Sequence, residues 1–237
     1  MLFSVALTAQ QNKYPVIKSV ADSVDDFVPQ GWAIMPVVVY GDLNKDQLID
    51  AAFVIQTVDT LTEYLYNVET KAYDQRDNSG ARILIILFKN TDGKYHLAVQ
   101  NNDFILRPDE GGMCCDPFPG LKIQNGTLNI PFYGGMSRDK WEVNYVFRYQ
   151  DHEWYLIGAT SGSSHLDYGD DDTIYPSGQE YSYNFITKKL KISTSESDKD
   201  KPSTQKEEWK KISTDQLKTF KTFIRPFTWE IEKDTYL

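Results

Sequence analysis

A strongly apolar run followed by a turn signal constrains the fold of this chain more than any other feature. Residues 82–88 carry large apolar side chains at every position after Arg82. Asp92-Gly93 separates this run from a second apolar run at residues 94–100. Because an Asp-Gly pair between two such runs is typical of a β-hairpin, the sequence predicts two antiparallel strands here.

Strand patterns recur on both sides of this hairpin. Residues 32–40 and 51–55 predict a second hairpin, in which Pro36 indicates an edge strand or a bulge. Residues 181–192 predict a further strand pair that turns at residues 187–189. Alternation through residues 141–147 predicts one core-facing row: Trp141, Val143, Tyr145 and Phe147. Residues 88–98 also align with residues 147–157 at a constant offset, which indicates a repeated β unit.

Other segments favour helix or irregular structure. Apolar residues three and four positions apart between Ile17 and Phe27 predict an amphipathic N-terminal helix. The same reasoning predicts a short docking helix within residues 209–227. Residues 60–80 are polar and indicate a short helix or an insertion. Residues 193–208 contain few apolar side chains, which favours a flexible segment.

The composition supports one β-rich unit. A chain of 237 residues can bury a sizeable core, and its 15 Tyr, 12 Phe and 5 Trp favour strands. We predict a mainly β fold with a minor α contribution, in which antiparallel sheets built from hairpins are propeller-like or sandwich-like and carry an N-terminal helix. A single domain over residues 10–237 is expected, with a flexible segment near residues 193–208.

The first nine residues resemble the apolar part of an export signal, because they end in small residues, although no basic residue precedes them. Cleavage after Ala9 would direct the protein to the periplasm or the extracellular space. The alternative is a short buried strand. No later apolar run approaches the roughly 20 residues that a membrane-spanning helix needs.

Charge limits the classes of partner. The net charge of −9 and the isoelectric point near 4.9 argue against a nucleic-acid footprint, which requires a basic face. We therefore expect a protein partner of unknown identity. We expect neither a nucleic-acid partner nor a membrane-spanning segment.

An acidic loop between the strands at 32–40 and 51–55 carries the clearest chemistry. Oxygen-bearing side chains occupy its first, third, fifth and ninth positions: Asp42, Asn44, Asp46 and Asp50. This spacing lets a tight turn surround Ca²⁺, with the main-chain carbonyl of Leu48 as a fifth ligand. The alternative is a solvated turn. An EF-hand is excluded, because Gln47 and Phe53 stand where that loop needs Gly and Glu.

No catalytic arrangement emerges, and we expect no enzymatic activity. His96, His152 and His165 are far apart in sequence, and no metal or phosphate motif contains them. Residues 161–165 include serines beside His165, but such proximity does not define a catalytic triad. Cys114 and Cys115 are adjacent, so they cannot link distant segments; a strained vicinal disulfide, two thiols or an intermolecular bridge remain open.

The loop at residues 41–50 resembles the calcium loop of FG-GAP or VCBS-type repeats, which occur in integrin-like propellers and exported bacterial proteins. The wider chain is similar to exported bacterial proteins that carry a single such loop. The segments that carry this similarity are 27–32, 82–87, 111–113, 116–118, 147–150 and 154–158. The resemblance implies calcium ligation by Asp42, Asn44, Asp46, Asp50 and the Leu48 carbonyl, together with a β-rich fold and no known enzymatic activity. Gln47 departs from the usual Gly of these loops.

The sequence thus predicts an exported calcium-binding protein in which one structural Ca²⁺ stabilises a hairpin. Its role would be binding or structural, with residues 108–120 and 161–178 as candidate binding surfaces. Two alternatives remain: an immunity or inhibitor protein against a secreted toxin, and a hydrolase that uses loop carboxylates.

Overall fold

Antiparallel strands form nearly all of the regular structure of the chain. The structure is a computed structural model. It describes residues 14–58, 61–67, 72–78, 80–113, 115–168, 174–198, 201–214 and 216–237. For residues 61–67, 72–78, 198 and 201–203 it describes the main chain alone.

The strands fall into an N-terminal and a C-terminal group. The first group comprises β1 (Val20–Ala21), β2 (Trp32–Gly41), β3 (Asp50–Thr57), β4 (Leu61–Asn67), β5 (Ala72–Asn78), β6 (Arg82–Lys89) and β7 (Tyr95–Asn101). The second comprises β8 (Lys122–Gln124), β9 (Thr127–Met136), β10 (Asp139–Gln150), β11 (Glu153–Tyr168), β12 (Ile174–Asn184), β13 (Lys189–Asp198), β14 (Lys201–Lys211), β15 (Glu230–Glu232) and β16 (Thr235–Tyr236).

Two sheets make up the body of the fold. A five-stranded sheet has the order β1-β7-β6-β3-β2, and a seven-stranded sheet has the order β14-β13-β12-β11-β10-β9-β8. The pairs β4-β5 and β15-β16 form separate two-stranded sheets. Every described strand pair is antiparallel, so the predicted mainly β, antiparallel fold is confirmed.

The main core lies between the two sheets. Val54 and Leu84 of the five-stranded sheet share one buried cluster with Ile130 and Tyr145 of the seven-stranded sheet. Phe104 occupies its centre, with ring centroids 5.3–5.4 Å from four other aromatic rings. Those rings belong to Tyr145, Phe147, Phe220 and Phe223. The sheets therefore pack face to face, as in a sandwich.

A second core covers the other face of the five-stranded sheet. Ile17, Val24 and Phe27 of the N-terminal segment pack there against residues of β3 and β6, such as Phe53 and Ile85. Both faces of these two strands are therefore buried, which explains why β3 and β6 are apolar at successive positions and do not alternate.

The predicted N-terminal helix is wrong. Its apolar positions instead lie on an extended segment, on β1 and on one 3₁₀ turn at Val24–Phe27. The Ile17 main-chain N–H donates to the side chain of Gln100, and the Ser19 carbonyl accepts from Leu97 of β7. Pairing with the edge of the sheet thus replaces helical hydrogen bonds.

The hairpins around residues 82–100 and 32–55 are confirmed. Pro36 lies on β2, which is both an edge strand and shifted in register between Met35 and Val39. Val143, Tyr145 and Phe147 are buried as predicted, and Trp141 is half-buried against the same core.

Several segments differ from expectation. Residues 60–80 contain the β4-β5 hairpin, and the predicted docking helix in residues 209–227 is wrong, since the described residues contain no α-helix. Residues 193–208 lie mainly in β13 and β14, and residues 161–178 include the ends of β11 and β12. Residues 1–9, with the predicted export signal, lie outside the described residues. Among the described residues, no helix is long and apolar enough to cross a membrane.

Candidate functional site

The acidic loop joins β2 to β3 and is held by its own side chains. The Asp42 carboxylate accepts hydrogen bonds from the main-chain N–H groups of Lys45, at 2.7 Å, and Gln47, at 3.1 Å. Both of these residues have left-handed backbones, with φ of 67° and 71°. Asp42 therefore sits inside the turn that it closes, as the first ligand of a cation loop would.

Asn44 and Asp46 continue this arrangement. The Asn44 Oδ1 atom accepts from the Asp46 N–H at 3.1 Å, and Asp46 Oδ1 accepts from the Leu48 N–H at 2.8 Å. The two side chains also meet directly, because Asn44 Nδ2 donates to Asp46 Oδ2 at 3.0 Å. Each of these side-chain oxygens accepts a single bond and keeps lone-pair capacity for a cation.

Asp50 has a different position, fully buried beneath the loop. Its Oδ2 atom accepts from the N–H groups of Leu43, at 2.8 Å, and Asn44, at 3.3 Å, while Oδ1 accepts from Lys89 of β6, at 2.9 Å. Burial raises the pKa of Asp50 despite these three bonds, and the Asp46 carboxylate raises it further. Asp50 therefore ties the loop to the neighbouring strand.

Two fully buried charges, Asp50 and Arg82, differ in their partners. Arg82 forms an ion pair with Asp116 and donates to the Leu106 carbonyl at 2.6 Å and to Gln56 Oε1 at 2.9 Å. Within the part of the chain that the structure describes, no basic side chain forms an ion pair with Asp50. Among the described residues, the buried Asp50 carboxyl group is thus held by main-chain N–H groups and not by an ion pair.

The structure brings the predicted calcium ligands into one loop at different depths. Asp46 is exposed, Asp42, Asn44 and Leu48 are half-buried, and Asp50 is buried. Among the described residues, no three His, Cys, Asp or Glu side chains form a metal-holding group by themselves. A calcium site here therefore depends on the Asn44 amide and the Leu48 carbonyl as well as on carboxylates.

The predicted surface at residues 108–120 is anchored through Asp116, whose role the sequence reasoning missed. Asp116 Oδ1 accepts from Arg82 Nη1 at 2.9 Å and from the Phe118 N–H at 3.0 Å. Glu110 also forms an ion pair with Arg225. The only signal in the sequence was a single Arg at the start of the apolar run of β6. These contacts hold the segment against the sheets.

His165 lies between two carboxylates. Its Nδ1 atom is 2.7 Å from Asp139 Oδ1, and its Nε2 atom is 3.1 Å from Asp167 Oδ1. A catalytic triad needs one ring nitrogen beside a serine hydroxyl. Because both nitrogens face carboxylates, the arrangement does not favour the serine chemistry considered for residues 161–165. His96 instead contacts Asp92, and His152 lies in the turn between β10 and β11.

These carboxylates, Asp139 first, hold the pKa of His165 above its ordinary value of 6.5. Protonated His165 therefore stabilises the fold below pH 6.5, and this contribution is lost as the pH rises through the folded-state pKa. Asp139→Asn should move the pKa of His165, followed by NMR of its ring protons, back toward 6.5. Asp167→Asn should move it less, and an unchanged pKa in both variants would contradict this assignment.

The described residues define an antiparallel β protein whose two larger sheets pack face to face, with the acidic loop between β2 and β3. Comparison of the chain with protein-family models, curated proteins and solved structures gives no match.

Proposed function

We propose that the protein is an exported, non-enzymatic calcium-binding protein in which one Ca²⁺ stabilises the β2-β3 hairpin. The observation that carries this proposal is the fully buried Asp50 carboxylate, which has no basic partner among the described residues. Asp42 and Asp46 add two more negative charges to the same loop. A divalent cation would supply the missing positive charge.

The residues that would hold the ion are Asp42, Asn44, Asp46, Asp50 and, through its carbonyl, Leu48. They present only oxygen, the ligand atom that Ca²⁺ prefers, and Ca²⁺ tolerates the irregular geometry of such loops. The resemblance of residues 41–50 to FG-GAP and VCBS-type loops supports the same ligand set. Export is supported by residues 1–9 and by that resemblance.

The position of the loop explains what the ion would do for the fold. Asp50 connects the loop to Lys89 at the end of β6. On another side, Gly126 in the turn between β8 and β9 approaches so closely that an added Cβ would lie 3.5 Å from the Asp42 carbonyl oxygen. Calcium would therefore strengthen a junction between the two sheets. The binding of a partner would then be the role of other surfaces of the protein.

Thermal unfolding with Ca²⁺ and with EGTA tests the proposal. At 100 times its dissociation constant, Ca²⁺ should add about 2.7 kcal/mol and raise the melting temperature by about 5–10 °C. Asp46→Asn should remove most of this increase, because it deletes one ligand charge at an exposed position.

Asp151→Asn is the matched control, since Asp151 is an exposed turn residue between β10 and β11 with a positive φ of 49°. It should keep the full increase. A melting temperature that Ca²⁺ does not change, or an increase that Asp46→Asn retains in full, would show that the loop is only a turn.

A further inference from the structure

The face of the seven-stranded sheet that packs against the core extends past the edge of the core. Val143 and Ile192 are among the last buried positions on this face. The next row comprises direct partners on six neighbouring strands: Gly134, Trp141, Ser163, Gln179, Thr194 and Lys206. Because paired residues of antiparallel strands share a face, this row lies on the same side as the core.

A groove of about 720 Å³ lies over this row, and we call it the sheet groove. It adjoins a hollow of about 300 Å³ that extends toward His165. Cys115 lines the groove from the 108–120 segment, while Ser163 and Gln179 line it from β11 and β12. The structure thus joins the two predicted binding surfaces in one concavity of the size that small ligands occupy.

We propose that the sheet groove binds a neutral oligosaccharide. This inference rests on the proposed binding role of the protein and is independent of its calcium site. The two sites are far apart, because Gly126 beside the acidic loop and Gly134 in the groove are separated by most of β9. That is a distance of about 25 Å for an extended strand.

Trp141 provides a fixed aromatic surface at one side of the groove. Its ring lies 5.4 Å from that of Phe227 in a perpendicular arrangement. Gly134 makes room for it, because an added Cβ would lie 2.4 Å from the Trp141 ring and 2.2 Å from the Gly111 carbonyl oxygen. The indole is half-buried and therefore held in place, as a platform for the C–H face of a sugar ring must be.

The floor presents hydroxyl and amide groups in a set orientation. The Tyr181 hydroxyl donates to Gln179 Oε1 at 2.7 Å, and Gln179 Nε2 donates to Thr194 Oγ1 at 3.5 Å. Ser163 and Ser177 add hydroxyls on the neighbouring positions. Such groups both donate and accept, which matches sugar hydroxyls that do the same.

The charges and strand pairing disfavour other ligands. The groove is lined by two lysines and three glutamates, namely Lys140, Lys206, Glu142, Glu180 and Glu207, so it offers no excess positive charge to a polyanion. An extended peptide binds a sheet through unpaired main-chain groups at an edge. The strands in the middle of the floor, β11, β12 and β13, are paired on both sides, so only the edge strand β14 could pair with a peptide and contacts over the rest of the floor come from side chains.

Calorimetric titration with linear hexasaccharides of glucose, mannose and N-acetylglucosamine tests the proposal. At least one should bind with a dissociation constant below about 1 mM, a weak but measurable affinity. A heparin hexasaccharide and an extended peptide should bind more weakly. The proposal is overturned if no neutral hexasaccharide reaches this affinity, or if the sulfated sugar or the peptide binds more tightly.

Variants locate the binding to the groove. Gln179→Ala and Trp141→Ala should each weaken binding at least about tenfold, the loss expected when a buried polar or aromatic contact is removed. Gln124→Ala is the matched control, because Gln124 is an exposed glutamine on β8, at the opposite end of the sheet. If Trp141→Ala does not fold, Gln179→Ala decides, and equal effects of Gln179→Ala and Gln124→Ala would refute the site.

The sugar titration, repeated in EGTA, and the melting temperature with and without Ca²⁺ together separate the two proposals. Sugar binding without any calcium-dependent change in melting temperature would refute the calcium site alone. A calcium-dependent increase without sugar binding would refute the sheet groove alone.

Discussion

Asp116→Ala should lower the free energy of unfolding by about 3–5 kcal/mol, because it leaves a buried guanidinium without its counter-charge. The Arg82 side chain is fully buried, whereas that of Asp116 is 34% exposed. Partial access of water to this pair places the loss toward the lower end of the range. Urea denaturation monitored by circular dichroism measures it.

An exposed ion pair supplies the control for this prediction. Glu207 pairs with Lys191 on the surface of β13 and β14, and Glu207→Ala should cost about 0–1 kcal/mol. A similar loss in both variants would mean that the Arg82–Asp116 pair contributes no more than a surface contact. Asp116→Ala should also weaken sugar binding, since Asp116 fixes the segment that carries Cys115.

Phe104→Ala should cost about 3–5 kcal/mol, the range typical of removing a buried Phe side chain. Phe104 is fully buried and contacts four aromatic rings from β10 and from the C-terminal segment. Removing its ring would leave a cavity that rigid aromatic neighbours cannot fill by small rotations. Urea denaturation measures this loss. If the slope of the free energy of unfolding against urea concentration is unchanged, the substitution affects stability alone.

Ile224→Ala is the matched control for the core variant. Ile224 lies beside the buried Phe223 but is 55% exposed. Its truncation should change the free energy of unfolding by about 0.5 kcal/mol or less, as is usual for surface positions. If Phe104→Ala were equally mild, Phe104 would not be central to the core.

Local signals in the sequence were enough to predict the hairpins. Asp92-Gly93 and the alternation around Val143 describe contacts between residues that are close in sequence, and the structure confirms both. The N-terminal segment shows where such reasoning ends. Its spacing fits a helix, but the contact of Ile17 with Gln100 depends on an open sheet edge that only the folded chain reveals.

The same limit applies to the candidate sites. The turn chemistry of Asp42, Asn44 and Asp46 is local and could be predicted from their spacing. The bond from Lys89 to Asp50 could not, because those residues are far apart in sequence. The sequence indicated two segments that line the sheet groove, residues 108–120 and 161–178, but not the groove itself, since single Ser, Gln and Thr residues become one surface only when six strands pair in register.

Along the same strands, the seven-stranded sheet thus separates positions that form the core from positions that line the sheet groove. On β12, Tyr183 is buried in the core, whereas Gln179 lies four residues away in the groove. On β13, Leu190 and Thr194 show the same division. Substitutions at the groove positions should therefore leave intact the core that specifies the fold. If the sheet groove binds a ligand as proposed, its ligand preference can be changed by substitution without a matching loss of foldability.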